Sequence, residues 1–273
     1  MDKSILARII GFPALLIHGD ALVVDRWRWL RRRLPRCTGE LRLIDVGCGN
    51  GAFSIGAARL GYHALGLSWD QRSLDVANER SRICHAPRAN FEIQDIRFLA
   101  ERTDLHQQFD TAICLEAIEH VLDDRRLMGA VADCLKPGGR LLLTTPFLNY
   151  RAISPSDDGP FCVTEDGWHV RRGYSKAMLL ELCQHAGLVA EEISYCSGLL
   201  SQKLTWLMRT LAHIHPLLAW AVTLPLRIVP PWLDPLLAFL TGWPPFSICL
   251  VAYKPRHAGE KPLFGAEVGP LGA

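Results

Sequence analysis

Leu43-Ile44-Asp45-Val46-Gly47-Cys48-Gly49-Asn50-Gly51 is the stretch that decides the fold. An apolar run carries one acid, Asp45, and then breaks into glycines at alternate positions. Glycine lets the backbone turn sharply and lets a ligand approach the main chain closely. A strand ending in such a turn, with a helical pattern behind it, marks the carboxyl edge of a parallel sheet, where nucleotide-like cofactors bind. Outward from this stretch, short apolar runs alternate with helical patterns. The expected strands are 41–46, 62–67, 90–94, 109–115 and 140–145, with helices near 51–60, 71–85, 96–105 and 121–135. That order predicts an α/β fold: a parallel sheet with crossover helices on both faces. Lys136-Pro137-Gly138-Gly139 reads as a stop and turn before the fifth strand. Ser175 is placed to cap a helix over 176–186, residues 188–195 read as a sixth strand, and 247–253 as the last.

Four further zones surround that core. Residues 1–40 form an N-terminal helical cap, with a helix over 20–34 that holds Trp27, Trp29 and the cluster Arg26, Arg28, Arg31, Arg32 and Arg33. The core runs over 41–198, including a long loop at 147–174 rich in Pro, Ser, Asp and Gly. An apolar helical insertion occupies 199–246, and 247–255 returns the last strand to the core. A flexible tail is expected over 256–273. The apolar stretch within the first twenty residues is interrupted by Gly11, Pro13 and His18, which argues against a signal peptide. Nine scattered cysteines without a CxxC pair argue against a zinc ribbon or disulfide framework and for reduced thiols in the cytoplasm. A net charge of +2 gives no field that favours a polyanion.

The glycine loop alone also satisfies a loose dinucleotide pattern, Gly47-x-Gly49-x-x-Ala52, which would suit an NAD-dependent oxidoreductase. Two features favour another cofactor: Asp45 lies two residues before the first glycine, and the later landmarks keep a different spacing. Over 41–146 the chain resembles the class I S-adenosylmethionine (SAM)-dependent methyltransferases. The resemblance implies a Rossmann-like, seven-stranded, mostly parallel sheet. It also implies that Gly47, Gly49 and Gly51 line the methionine part of SAM. Asp45 would reach the SAM amino group, or else brace the glycine turn. Ser68 stands where the family usually has an acid for the ribose. Asp70, two residues on, either shares that contact or caps a helix. Trp69 would stack on adenine or serve as ordinary packing, Asp95 would read the adenine amino group or else cap a helix, Ile96 would border the adenine, and Cys114 and Leu115 would offer carbonyls to the amino group.

On the acceptor side stands Cys114-Leu115-Glu116-Ala117-Ile118-Glu119-His120-Val121. Glu116, Glu119 and His120 sit at i, i+3 and i+4, which share one face if the segment is helical. Three readings stay open: a structural helix start, a general base at His120 or Glu116, or a site for Mg²⁺ or Mn²⁺. The pattern is similar to the ubiquinone-biosynthesis O-methyltransferases. It also resembles the metal-dependent small-RNA 2′-O-methyltransferases, which add a histidine from a later loop. Here that histidine would be His169, a candidate for catalysis and for the metal set Glu116, Glu119, His120 and His169. With Arg171 and Tyr174 it lies in the loop expected to cover the acceptor.

The insertion holds four of the eight tryptophans and few charges. Pro216 and Pro225 interrupt its most apolar run, whereas a spanning helix needs about 20 apolar residues. Helices lying in a membrane interface are expected instead, joined by 20–34, and a lid or dimer interface is the competing reading. The expected protein is thus a cytoplasmic enzyme, peripheral on the inner face of a membrane, acting on a small-molecule or lipid-linked acceptor. A SAM-fold protein that binds without chemistry is the remaining alternative. The Trp/Arg helix reads as an anchor or a solvated face rather than a nucleic-acid surface.

Overall fold

The computed structural model describes residues 5–257, so the expected tail lies outside the described residues from 258 onward. Seven strands form one sheet in the order β3-β2-β1-β4-β5-β7-β6. They are β1 (Arg42–Val46), β2 (His63–Ser68), β3 (Ala89–Ile93), β4 (Phe109–Leu115), β5 (Leu135–Pro146), β6 (Val189–Cys196) and β7 (Ser247–Tyr253). Neighbours among the first five run parallel, and β7 runs antiparallel to both β5 and β6. The chain starts at β1, winds outward to β3, then crosses to β4. That reversal opens a crevice above the carboxyl ends of β1 and β4, where such sheets bind ligands.

Strand residues point alternately to two apolar layers, as a period of two requires. Ile44, Val46, Ala112, Cys114, Leu141 and Leu143 face one layer. It is covered by α6 (Asp124–Cys134) and α7 (Lys176–His185). Leu43, Ile113, Leu115, Leu142 and Val251 face the other. There lie α1 (Ile5–Ile10), α2 (Pro13–Ile17), α3 (Ala21–Arg33) and α4 (Ala52–Arg59). The remaining crossover helix, α5 (Gln71–Ile83), links β2 to β3.

Two local expectations are corrected. Residues 96–105 form two short 3-10 turns, Ile96–Glu101 and Thr103–Leu105, because Phe98 leaves helical geometry. The 136–139 turn lies within β5, which starts at Leu135; the register against β4 shifts between Phe109 and Thr111 and absorbs it.

Helix α3 shows why the N-terminal segment reaches the site. Asp20 caps it by accepting from the Val23 amide at 3.2 Å. Leu22, Arg26, Trp29 and Leu30 share its buried stripe. Trp29 Nε1 donates to Ser194 Oγ at 3.0 Å, and Arg33 pairs with Glu192, so the helix lies along β6.

Between β6 and β7 come α8 (Leu199–Ile214), α9 (Pro216–Thr223) and α10 (Pro230–Thr241). Gly198 gives α8 no side-chain cap. Asp234 on α10 supplies it, accepting from the Leu200 and Ser201 amides at 2.6 and 3.0 Å. Arg227, 1% exposed, donates to the carbonyls of Ile17 and Gly19 and fastens this unit to the N-terminal helices. No helix among the described residues is long and apolar enough to cross a membrane.

Candidate active site

The glycine loop shapes the cofactor side. Gly47 holds φ +85°, and a Cβ there would lie 2.7 Å from the Cβ of Ala117. Gly49, at φ +50°, faces open space. The amides of Gly47 and Cys48 donate to Leu67 O at 3.1 and 2.8 Å, which pins the loop to β2. Gly51 starts α4. The structure places Asp45 beneath this turn rather than in the open. It is 1% exposed and accepts from Ser54 Oγ at 2.5 Å. Burial pushes its carboxyl up to about 7, against the Ser54 bonds. Of the two roles expected for Asp45, this geometry is that of the brace.

Next to the loop, a cleft is lined by Trp69, Asp95, Ile96, His120, Glu165 and Gly167. Trp69 is 64% exposed, an open aromatic face at the end of β2. Ser68 is buried and accepts from the Asp70 amide at 3.3 Å. Asp70 caps α5, accepting from the Arg72 and Ser73 amides and from Ser73 Oγ. Those bonds hold its carboxyl below the usual range. Asp95 caps the following turn and is gripped by Arg97, whose hydrogen bonds also lower its carboxyl. Arg97 reaches on to Glu165 O at 3.1 Å, and Glu165 Oε1 accepts from the Leu122 amide at 2.6 Å. The 147–174 loop is thereby stitched across the cleft. Cys114 and Leu115 end β4, both buried.

The 116–120 motif departs from the helical expectation. Only Ile118–His120 forms a 3-10 turn, and Glu116 takes a left-handed φ of +52°. Its carboxylate consequently turns toward α3 and β7. It pairs with Arg26 at 2.9 Å and accepts from Ser247 Oγ at 3.1 Å. Glu116 therefore does not share a face with Glu119 and His120, and it drops out of the expected four-residue metal set.

Glu119, His120 and His169 do converge, with potential ligand atoms all within 4.8 Å of one another. The two imidazole rings lie 4.7 Å apart and nearly perpendicular. Glu119 is fully buried: Oε2 accepts from Thr145 Oγ1 at 3.1 Å, whereas Oε1 lies 4.0 Å from His169 Nε2. Glu119 Oε1 and His120 Nδ1 are buried without a hydrogen-bond partner among the described residues. Burial and the nearby Glu116 charge hold the Glu119 carboxyl well above the usual range. Burial and His120 push His169 down to about 4, so it is neutral near pH 7. The loop that delivers His169 is held by the Val170 amide donating to Glu119 O at 3.0 Å. Arg171 grips Val121 O, Leu122 O and Asp124, and Tyr174 Oη donates to Asp124 at 2.8 Å.

Sequence reasoning missed Arg26, Arg97, Glu165 and Ser247 as parts of this neighbourhood. Arg26 was legible as the polar member of an apolar stripe at i, i+4, i+7 and i+8 from Leu22. Nothing in the sequence marks Ser247 beyond its place at the head of the last strand.

Residues 22–193 match a family model described as a methyltransferase domain. The chain is 30% identical over 175 residues to the ubiquinone biosynthesis O-methyltransferase of Aeromonas salmonicida, covering 62% of this chain and 71% of that protein. It is 37% identical over 113 residues to the enzyme of the same name from Shewanella pealeana, covering 41% of this chain and 46% of that protein. The match thus spans about half the length of the Shewanella relative. Among solved structures, phosphoethanolamine N-methyltransferase 2 of Haemonchus contortus, in complex with SAM, superposes with a TM-score of 0.60 at 20% identity. That superposition covers 93% of this chain and 60% of the other, and it speaks to the fold.

Proposed function

We propose, from the premise that this chain belongs to the class I SAM-dependent methyltransferase family, that it methylates an oxygen of a small, apolar or lipid-linked acceptor. The observation that carries the reading is the convergence of Glu119, His120 and His169 beside the glycine loop and the Trp69 cleft. Family membership sets aside the oxidoreductase alternative, and the preference for oxygen rests on the relatives' names.

SAM supplies a methyl group on a positively charged sulfur, so the protein is not asked to activate the donor. The open space over Gly49 and the exposed face of Trp69 suit a nucleoside with an extended tail. The protein's tasks are alignment, exclusion of water and removal of the acceptor's proton. The loop stitched by Arg97 and Glu165 covers the cleft. His169 is unprotonated near neutral pH and takes the hydroxyl proton at Nε2. Glu116 is not the base, since Arg26 and Ser247 occupy its carboxylate.

A second reading is favoured by the two unpartnered atoms, Glu119 Oε1 and His120 Nδ1. With His169 they would hold a divalent cation, and two imidazoles beside one carboxylate suit Mn²⁺ better than Mg²⁺. Such an ion would supply a Lewis acid that lowers the pKa of the acceptor hydroxyl. Chelator followed by added Mn²⁺ separates the readings: activity lost and regained supports the ion, and indifference leaves His169 as the base.

The apolar acceptor reading brings in the insertion. Phe239, Trp232 and Leu240 on α10 are 78%, 71% and 66% exposed, which is unusual for side chains that bury so much area on contact. This face, with α3 beside it, is where the enzyme meets the membrane holding a lipid-linked acceptor. The test is incubation with labelled SAM and a cell extract, followed by partition into organic solvent. Label in the organic phase is expected. The methyltransferase reading fails if calorimetry detects no heat for SAM or for S-adenosylhomocysteine.

A further inference from the structure

The exposed face of α9 and α10 has a border, and its charge is of one sign. Between 199 and 246 the single acid is Asp234, which is 5% exposed and spent on capping α8. Of the basic residues there, Arg209 is paired with Asp157 and Arg227 is buried. Lys203 is exposed, and its Nζ lies 4.8 Å from the centre of the Trp243 ring. Arg151, exposed on the 147–174 loop, brings its guanidinium to 4.3 Å from the same ring. Neither cation pairs with a carboxylate among the described residues. Along the same border, Arg28 of α3 stacks at 3.9 Å over Trp232.

Two exposed cations beside one indole, neither with a carboxylate among the described residues, make a locally positive patch that favours an anion. The indole contributes a cation–π attraction, but it supplies no negative charge. An ammonium and a guanidinium, at 4.8 and 4.3 Å from the same ring centre, are donors that phosphate oxygens accept from. Tryptophan with neighbouring Lys and Arg is also the side-chain set that settles at the headgroup level of a bilayer, with apolar side chains reaching past it. Here the apolar side chains are Trp232, Leu236 and Phe239, at 71%, 57% and 78% exposure.

We infer that Arg151, Lys203 and Trp243 form a binding site for the phosphate of an anionic phospholipid headgroup, at the edge of the face that docks on the bilayer. The inference rests on the membrane contact proposed above and adds the lipid chemistry that orients it. A second copy of the chain fits the face less well. An isologous pair would press cations toward cations, with no exposed acid from 199–246 to separate them.

The experiment is vesicle co-sedimentation of the full chain, with phosphatidylcholine alone and with phosphatidylcholine mixed with phosphatidylglycerol. The wild type should bind the mixed vesicles tighter by roughly tenfold to thirtyfold, the expected weight of two basic residues near an anionic surface. Added salt should erode that margin. Arg151→Gln with Lys203→Gln should bind both vesicles as the wild type binds phosphatidylcholine. Trp232→Ser with Phe239→Ser should weaken both. Melting temperature and S-adenosylhomocysteine affinity, unchanged in both variants, show that the fold is intact. Equal binding to both vesicles, or a preference that survives the double glutamine change, overturns the headgroup site and leaves the membrane reading standing. Binding to neither vesicle overturns the membrane reading itself, and self-association at rising concentration would then assign the face to a second copy.

Discussion

The cofactor half and the acceptor half of this site are held together in opposite ways. Around the glycine loop, most polar side chains find partners close by in the chain, the exception being Arg97, which also reaches Glu165 68 residues on. Asp45 meets Ser54 nine residues on, Asp70 meets the amides two and three residues on, and Asp95 meets Arg97. On the acceptor side the partners are remote. Arg171 and Asp124 lie 47 residues apart, Arg209 and Asp157 52, and Ser247 and Glu116 131. Local bonds let the cofactor half take shape as its own strand–turn–helix units form. The acceptor half exists only once β6, β7, α3 and the long loop have been assembled around it. On the proposed function, specificity for the acceptor would sit in the part most open to change by insertion or loop exchange.

The comparison is broken most severely at Gly47. Valine there would need a left-handed backbone that β-branched residues avoid, and its Cβ would press on Ala117. Gly47→Val should weaken SAM and S-adenosylhomocysteine by more than about a hundredfold, from a backbone outlier and a clash together. Calorimetry reads this directly, and near-normal affinity would show that the turn does not shape the cofactor site.

The second effect sharpens the comparison from the other side. Arg26→Met leaves Glu116 buried without its cation, with the two side chains 10% and 15% exposed in the native pair. Breaking such a pair should cost about 3–5 kcal/mol in urea unfolding. Affinity for S-adenosylhomocysteine, by contrast, should hold within a few-fold. Adding Glu116→Gln should restore most of the stability, because a neutral amide needs no counter-charge. If the single variant loses cofactor affinity as steeply as stability, the two halves are not separable in this way.

The same contrast explains what the sequence made legible. Every strand was readable, since a period of two and glycine punctuation are written locally. So were Gly47, Gly49 and Gly51, the caps at Asp70 and Asp95, and the approach of His169 to His120 that the resemblance implied. The 96–105 helix was misread because apolar spacing cannot show Phe98 leaving helical geometry. Glu116 was misread for a deeper reason. Its left-handed backbone and its turn toward Arg26 follow from α3 and β7 closing over it, and neither element is near it in the chain. Arg26 looked like one more member of a basic cluster, although its spacing from Leu22, Trp29 and Leu30 already sets it on the buried stripe; its partner Glu116 is what only tertiary packing reveals.

The smallest expected effect tests whether Asp45 belongs wholly to the cofactor half's local scaffold. Its carboxyl is pushed up to about 7 by burial, from 3.8 in the open chain. A raised acid binds more protons folded than unfolded between those values, so its contribution is fully present below about pH 4 and is lost as pH rises toward 7. Asp45→Asn keeps an acceptor for Ser54 Oγ and carries no charge to bury. The melting temperature of the wild type should therefore fall behind that of the variant from about pH 5 to about pH 8, by a few degrees for a chain of this size. Parallel curves would mean that the Asp45 charge already has a partner, and the nearest group able to supply one would be the ammonium of a bound cofactor carried through purification. Repeating the scan after exhaustive removal of small molecules distinguishes that case, since a gap that opens only then assigns Asp45 to the ligand as well as to the turn.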